Sequence, residues 1–503
     1  MTPVPNPAPN ALLRCHPSDN VAVAMDDLEC GAVVCDGAVE VTVSGPIPRG
    51  HKVALAHIPA GGRVMRYGAA IGCATAPIAA GGHVHSHNLA TALSGEVAYV
   101  AGNQEAAPAV PEPAPLGNWR GYRRADGRAA TRNEVWILPT VGCVGLMAEE
   151  LGRTANARHA GRIDGVYGFA HPHGCSQLGD DLAATRALLA GLADNPNAGG
   201  VLLLGLGCES NQLDALLAHI PQRSRAKVRV LRAQDPGDEY ARAHELIDEL
   251  VAGCADAQRE ELPAADLVVG LKCGGSDSWS GLTANPLLGH FSDALSAAGG
   301  KLLLTEIPEI FGAEADLLAR SVSPEVRQQA EALLNAFKRY FLDAGHPVSE
   351  NPSPGNIAGG ITTLEEKSLG AVQKGGRAPL VDVIEYGAAA SRAGLSLLEA
   401  PGNDAVSSTA LVAAGATIVL FTTGRGTPLG FPAPTIKVAS NSELAAGKTR
   451  WIDFDAGRLL NEPREAVIAD FAAHVLAVAT GQCTTSEIHS QRAIAIWKRG
   501  VTN

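Results

Sequence analysis

Along the first hundred residues, short apolar runs alternate with glycine and proline. NVAVAM, GAVVCDGAVEVTV, HKVALAHI and VMRYGAAIGCA each hold strands of about five residues, and Pro46, Pro48, Pro59 and Pro77 break the spaces between them. Residues 1–100 are expected to form a small β-rich domain. Residues 101–117, AGNQEAAPAVPEPAPLG, carry no core-forming pattern and read as a Pro/Ala-rich linker. From residue 118 the pattern changes. EVWILPTVGC, GVYGFAHPHGC, VLLLGLGC and LVVGLKCGGSD are near-continuous apolar runs, and helical stretches such as DDLAATRALLAGL and DEYARAHELIDELVAGCADA lie between them. Continuous apolar strands alternating with helices predict buried parallel sheets. The fold class is therefore α/β: a small N-terminal β-rich domain plus a large α/β region with mostly parallel sheets in two subdomains. The spacing divides that region into 118–345 and 346–503. At the junction, NPSPGNIAGGITTLEEKSLGAVQKGG reads as a long Gly/Pro-rich loop.

Composition agrees with this division. One core rarely grows past roughly 250–300 residues, so 503 residues imply two or three domains. A net charge of −12 argues against nucleic acid and against an anionic membrane surface as partners. No apolar run reaches the ~18 residues of a spanning helix, and the opening MTPVPNPAPNALLRC lacks a signal-peptide pattern. A cytoplasmic location is expected, where the ten cysteines would be free thiols or ligands rather than a disulfide framework.

Ligands in open α/β sheets bind beyond the carboxyl ends of strands. Four cysteines stand where a run turns into a loop, each beside a glycine: Cys143, Cys175, Cys208 and Cys273. Several thiolates at such strand ends could hold iron, alone or as a cluster; singly, each reads better as a small core residue, and the four together read equally well either way. HVHSHN places His83, His85 and His87 at alternate positions, so on a strand the three imidazoles would share one face. His171 and His173 repeat the spacing beside Cys175. Anion-binding loops are a third group. KCGGSDSWSG offers Lys272, Gly274, Gly275, Ser276 and Asp277; TTGRGTP offers Arg425; NPSPGN and APGNDAVSST add Asn356, Asn403 and Asp404. No GxxxxGK[ST] loop and no GxGxxG after a strand is present, so ATP and NAD are not indicated.

Longer motifs go further. GYRRADGRAATRNEVWILPTVGC, GLGCESNQ, GLKCGGSDSWSGLTANPLLG, TEIPEIFGAE, NPSPGNIAGGITTLEEKSLG, PGNDAVSSTALVAAGA and FTTGRGTP resemble the altronate/galactarate dehydratase family, from about residue 18 to the C-terminus. The N-terminal part resembles that family's SAF domain, and HVHSHNLAT resembles its altronate branch. The resemblance implies a hydro-lyase that converts D-altronate to 2-keto-3-deoxy-D-gluconate in galacturonate breakdown. It implies Fe²⁺, with Mn²⁺ as a second candidate and an iron–sulfur cluster left open. The partner would be a small-molecule sugar acid, and a homo-oligomer is allowed. Dehydration needs a base for the C2 proton and an acid for the departing 3-hydroxyl. Lys272 or Glu306 is the candidate base, His85 or His87 the candidate acid, and the four cysteines the candidate metal ligands. Two alternatives stay open: dehydration of a related acid such as galactarate, and a non-catalytic sugar-acid-binding protein.

Overall fold

The structure, a computed structural model, describes residues 11–99 and 112–503. Residues 101–111, most of the expected linker, lie outside the described residues. The N-terminal domain is all β, built from strands of two to six residues in sheets of four, three and two strands. Two small cores fill it, one around Val34, Val41 and Val53, the other around Val64, Ile71 and Val84. Tight turns set the path between strands. At Gly81, with φ +79°, a Cβ would stand 1.9 Å from the Thr42 carbonyl oxygen, so the turn admits only glycine.

The next part carries a four-stranded, wholly parallel sheet. Its order is Gly165–Gly168, Glu134–Pro139, Ala198–Gly205, Val228–Arg232. The helix Glu239–Cys254 shows why the elements form. Asp238 caps it by accepting the Ala241 amide, and Ala243, Leu246, Ile247, Leu250, Val251 and Cys254 fall on one buried stripe at helical spacing. That stripe lies on the sheet with Val135, Ile137, Leu202 and Leu204.

The third part is a seven-stranded parallel sheet in the order Leu380–Ile384, Gly394–Leu398, Lys301–Leu304, Val268–Cys273, Ile418–Thr423, Thr435–Ala439, Phe454–Asp455. Strands from both sides of residue 345 share this sheet, so the expected boundary there is corrected: the sheets divide the chain between residues 232 and 268. A parallel strand pairs with a partner far away in sequence; the helix Pro324–Asp343 belongs to a crossover inside one sheet rather than to a linker. The expected loop at 351–376 is also corrected. Ser353 and Thr363 cap the helices Pro354–Ala358 and Leu364–Ala371, which restart after each Gly/Pro break.

By length and composition alone, the stretch Arg464–Ile488 could cross a membrane. Within it, Val467, Phe471, Val475 and Val478 are fully buried in the protein core, as in a core helix.

Candidate active site

The strand Val268–Cys273 is where the order of the seven-stranded sheet turns. Its neighbours are Lys301–Leu304 on one side and Ile418–Thr423 on the other. The chain beyond such a switch point opens into a crevice at the carboxyl ends of the strands, and charged side chains collect there. Lys272 is fully buried and paired to Glu306 and, at 2.9 Å, to Asp404. Lys374 reaches the other oxygen of Glu306 at 2.8 Å, and the Cys273 amide donates to that same oxygen at 2.9 Å. Lys367 pairs with Glu309 at 2.8 Å, and the Cys273 thiol donates to Glu309 at 3.2 Å. Glu306 adopts a left-handed backbone, φ +66°, uncommon for a residue with a Cβ and typical of sites where position matters more than comfort.

Electrostatics follow from this packing. Burial works against the charge on Lys272, but Glu306 and Asp404 outweigh it and hold its pKa above the ordinary lysine range. Burial also opposes the charge on Glu306, yet Lys272 and Lys374 pull it down to about 2. Burial, then Glu306 and Glu309, push the Cys273 thiol up to about 12. At neutral pH Lys272 is an ammonium with no lone pair, Glu306 a carboxylate saturated by donors, and Cys273 a neutral thiol. Lys272 and Glu306 are therefore placed as a fixed cation and its anchor, which weakens the expectation that either removes a proton.

A second cluster comes from the N-terminal domain. His51 precedes the strand Lys52–Ala54, which pairs with His83–Val84 so that Val53 faces His83. His51 Nδ1 and His83 Nε2 are 3.1 Å apart. Ring centroids separate by 4.9 Å for His51–His85, 5.3 Å for His83–His85 and 5.4 Å for His83–His87. The expected strand ladder ends after Val84, and His85 to Asn88 form a turn instead, closed by the Asn88 side chain on the His85 amide. The imidazoles still gather, and His51 joins them. Burial first, then neighbouring imidazoles and Lys52, push His51 and His83 down to about 4, so both are neutral at pH 7. His85 Nε2 lies 3.0 Å from the Ile357 carbonyl, which can only accept, so that nitrogen carries the proton and Nδ1 keeps a lone pair.

Buried ion pairs fasten the two clusters together. Lys52 donates to Glu366 at 2.9 Å and to the Gly360 carbonyl at 2.7 Å; Arg66 pairs with the other oxygen of Glu366 and donates to the Ser278 carbonyl at 3.0 Å. The histidines thus sit over the loops 276–281 and 357–366. Beside them opens a cleft of about 630 Å³, lined by Arg49 of the N-terminal domain and by Asp277, Arg425 and Lys448 of the large sheet.

The remaining sequence candidates divide. Gly274 and Gly275 shape the loop: a Cβ on Gly274 would lie 2.5 Å from an Asp404 oxygen, and Gly275 has φ +62° beside Arg425. Asp277 accepts from Ser280, Ser440 and Asn441 and holds the loop closed. Asn356 donates to the Ser276 carbonyl, and Asn403 caps the helix Asp404–Ala413. Asp277, Asn356 and Asn403 are thus engaged with protein. The four Gly-Cys loops do not meet as one set. Cys273 is buried in the seven-stranded sheet, whereas Cys143, Cys175 and Cys208 are exposed beyond the four-stranded one. His171 is buried, its Nε2 on the Pro139 carbonyl at 2.8 Å, a satisfied core histidine. Lys367, Lys374, His51 and Glu366 are the partners that sequence reasoning missed.

Which residues fit a metal is decided by donor chemistry. Cys273, Glu306 and Glu309 bring three ligand atoms within 4.8 Å of one another. Yet Lys272, Lys367 and Lys374 already balance Glu306, Glu309 and Asp404, so a divalent cation there would face three ammonium groups. The imidazoles of His51 and His83 are neutral at pH 7 and are of the donor type that suits a first-row divalent ion.

Three family models cover the chain: the altronate/galactarate dehydratase SAF domain over residues 10–92, the D-galactarate dehydratase/altronate hydrolase second domain over 121–255, and the D-galactarate/altronate dehydratase C-terminal domain over 264–502. The chain is 45% identical to an altronate dehydratase of Bacillus subtilis, across 98% of this chain and 99% of the relative. It is also 45% identical to an altronate dehydratase of Escherichia coli, across 97% and 99%. A galactarate dehydratase (L-threo-forming) of E. coli is 34% identical, across 96% of each.

Proposed function

Because the chain belongs to the altronate/galactarate dehydratase family, we propose that it removes water from D-altronate, giving 2-keto-3-deoxy-D-gluconate, in the cytoplasm. The observation that carries the substrate is the full-length identity to altronate dehydratases, 45% against 34% for the galactarate enzyme.

Each residue then has a part. Arg425 and Arg49 draw the substrate carboxylate into the cleft. The Lys272 ammonium, locked by Glu306 and Asp404, offers fixed positive charge to the enolate that forms when the C2 proton leaves. His51 and His83 are the residues that would hold Fe²⁺, with Mn²⁺ the other candidate. Such an ion, when bound, polarises the carboxylate and hydroxyl oxygens of the substrate. The C2 proton passes to a neutral imidazole, His85 through its Nδ1, which lies 3.0 Å from the Ser86 hydroxyl, and His87 delivers a proton to the departing 3-hydroxyl. The enol product takes up a proton at C3 and becomes the keto acid. His85 replaces Lys272 and Glu306 as the base, since Lys272 is an ammonium and the Glu306 carboxylate already accepts from Lys272, Lys374 and the Cys273 amide.

The test is a panel of D-altronate, galactarate and related aldonates, with Fe²⁺ or Mn²⁺ under reducing conditions and a keto-acid readout. D-altronate should give the highest kcat/KM. Faster turnover of galactarate would overturn the substrate, and binding without turnover would favour the non-catalytic sugar-acid-binding reading.

A further inference from the structure

The three cysteines left over by this reading lie together at one edge of the four-stranded sheet. Cys143 follows Glu134–Pro139, Cys175 follows Gly165–Gly168 and Cys208 follows Ala198–Gly205, which are three adjacent parallel strands. Their loops are tied to each other by backbone. The Gly142 amide donates to the His173 carbonyl at 2.9 Å, and the Asn211 amide to the Gly174 carbonyl at 2.9 Å. Thr140 donates to Glu209 at 2.5 Å, and the Asn211 side chain to the Thr140 carbonyl at 3.2 Å. Each cysteine therefore stands within three residues of a contact with another of the three loops.

The glycine before each cysteine has a common reason. A Cβ on Gly142 would lie 2.9 Å from the His171 carbonyl oxygen. On Gly174 it would lie 2.0 Å from the Thr140 carbonyl oxygen, and on Gly207 2.7 Å from the Gln234 side chain. Gly174 and Gly207 also need positive φ, +100° and +134°. Gly142 and Gly174 let the Cys143 and Cys175 loops close on each other, and Gly207 lets the Cys208 loop close on Gln234, in the loop after Val228–Arg232.

All three thiols are exposed, whereas Cys254 and Cys273 are buried. Cysteine is ordinarily among the most buried residue types, and one patch with three exposed thiols is not explained by packing. The sulfurs do not fit one ion as they stand. Three thiolates on a single tetrahedral metal would sit about 4 Å apart, given metal–sulfur bonds of ~2.3 Å. Among the described residues, only Cys273, Glu306 and Glu309 bring three ligand atoms within 4.8 Å. A core of several atoms spans a wider set of thiolates. The amide ends of the helices Gly145–Arg158 and Gly179–Asp194 favour negative charge at the same edge. Gln234 supplies an amide donor 3.7 Å from the Cys208 sulfur.

We propose that Cys143, Cys175 and Cys208 ligate an iron–sulfur cluster of the four-iron class through three thiolates, leaving one iron without a protein ligand. Each thiol gives up its proton on ligation; two ferrous ions, two ferric ions and four sulfides supply the core, so the chain itself is neither oxidised nor reduced. The site is separate from the histidine metal and does not depend on the dehydration reading.

The test is anaerobic reconstitution of the full chain with ferrous and ferric iron and sulfide, followed by iron and acid-labile sulfide analysis and visible absorption. About four iron and four sulfide per chain, with broad absorption from sulfur-to-iron charge transfer, are expected. Cys143→Ser, Cys175→Ser and Cys208→Ser should each lose most of the sulfide and the absorption, with the unfolding midpoint of the cluster-free chain unchanged because the side chains are exposed. Cys30→Ser, at an exposed cysteine elsewhere, and His83→Asn should keep both. Sulfide content that survives the three serine substitutions overturns the proposal. So does a wild-type chain that takes up iron without sulfide, or a disulfide between two of the three found by mass spectrometry of the freshly isolated protein. A His83→Asn protein that keeps its sulfide but dehydrates D-altronate normally would instead sink the role given to the histidines.

Discussion

Replacing Glu366 with glutamine tests the joint between the N-terminal domain and the large sheet. The carboxylate is 1% exposed, and its partners Lys52 and Arg66 are 0% and 1% exposed. The substitution keeps shape and volume but leaves two buried cations facing a neutral amide. Breaking a buried pair in this way costs about 3–5 kcal/mol, because the orphaned charge stays out of water. At 1.4 kcal/mol per tenfold, the docking equilibrium should shift by roughly two to three and a half powers of ten. The chain has several cores, so a single global unfolding energy is not the right measure. Amide hydrogen exchange at Lys52–Ala54 and Thr362–Glu366 reports docking directly. Glu366→Gln should lose protection there while the strand Val269–Leu271 keeps its own. A parallel substitution of the exposed partner in the Arg339–Glu96 pair, Glu96→Gln, should change nothing measurable. Protection within a factor of three of wild type in Glu366→Gln would refute the reasoning. Lys52→Met, Arg66→Met and Glu366→Leu combined should recover much of the docking, since apolar groups leave no unpaired charge.

Acidity should open the same joint. Lys52 and Arg66, against the effect of burial, hold Glu366 at about 2, below its ordinary 4.5. The undocked carboxyl then binds the proton more readily, so stability is present above pH 4.5 and lost as pH falls toward 2; exchange across that window, flattened in Glu366→Gln, measures it. Lys272→Met should lower kcat by about a hundredfold or more with a smaller change in KM, as for removal of a fixed transition-state charge; equal loss in KM alone would make it a binding residue only. Gly274→Ala brings a methyl 2.5 Å from Asp404 and 2.6 Å from Phe421, both on packed elements. It should cost at least tenfold in kcat, with D-altronate turnover as the readout. His51→Asn should abolish tight iron binding at the histidines, read as iron retained after gel filtration, and leave the fold intact by circular dichroism.

The sequence made some of this legible, and the reasons differ residue by residue. Parallel strands were readable because both faces are covered, so LVVGL and IVLF are apolar throughout. Which strands share a sheet was not readable, because pairing is decided by crossovers that leave no local mark; the misplaced boundary near 345 has that cause. His83, His85 and His87 were found by their spacing, although a turn rather than a strand gathers them. His51 was missed because it reaches them through the register of two strands some thirty residues apart. Lys367 and Lys374 were passed over with the Gly/Pro-rich segment around them, where the Thr363 cap and the run LEEKSLGA signalled a helix. Cys273 looked like its three counterparts, since burial and a ring of carboxylates and ammoniums are properties of the folded state alone.

The imidazoles sit on one domain and the locked ammonium on another, yet both belong to one polypeptide. Assembly of the site is then an intramolecular event. Its extent depends on the docking constant and the effective concentration imposed by the tether, and is unchanged by dilution of the protein. Two separate chains carrying the same surfaces would lose the site as they were diluted. A single chain held by Lys52, Arg66 and Glu366 should keep its specific activity from micromolar stock to nanomolar assay.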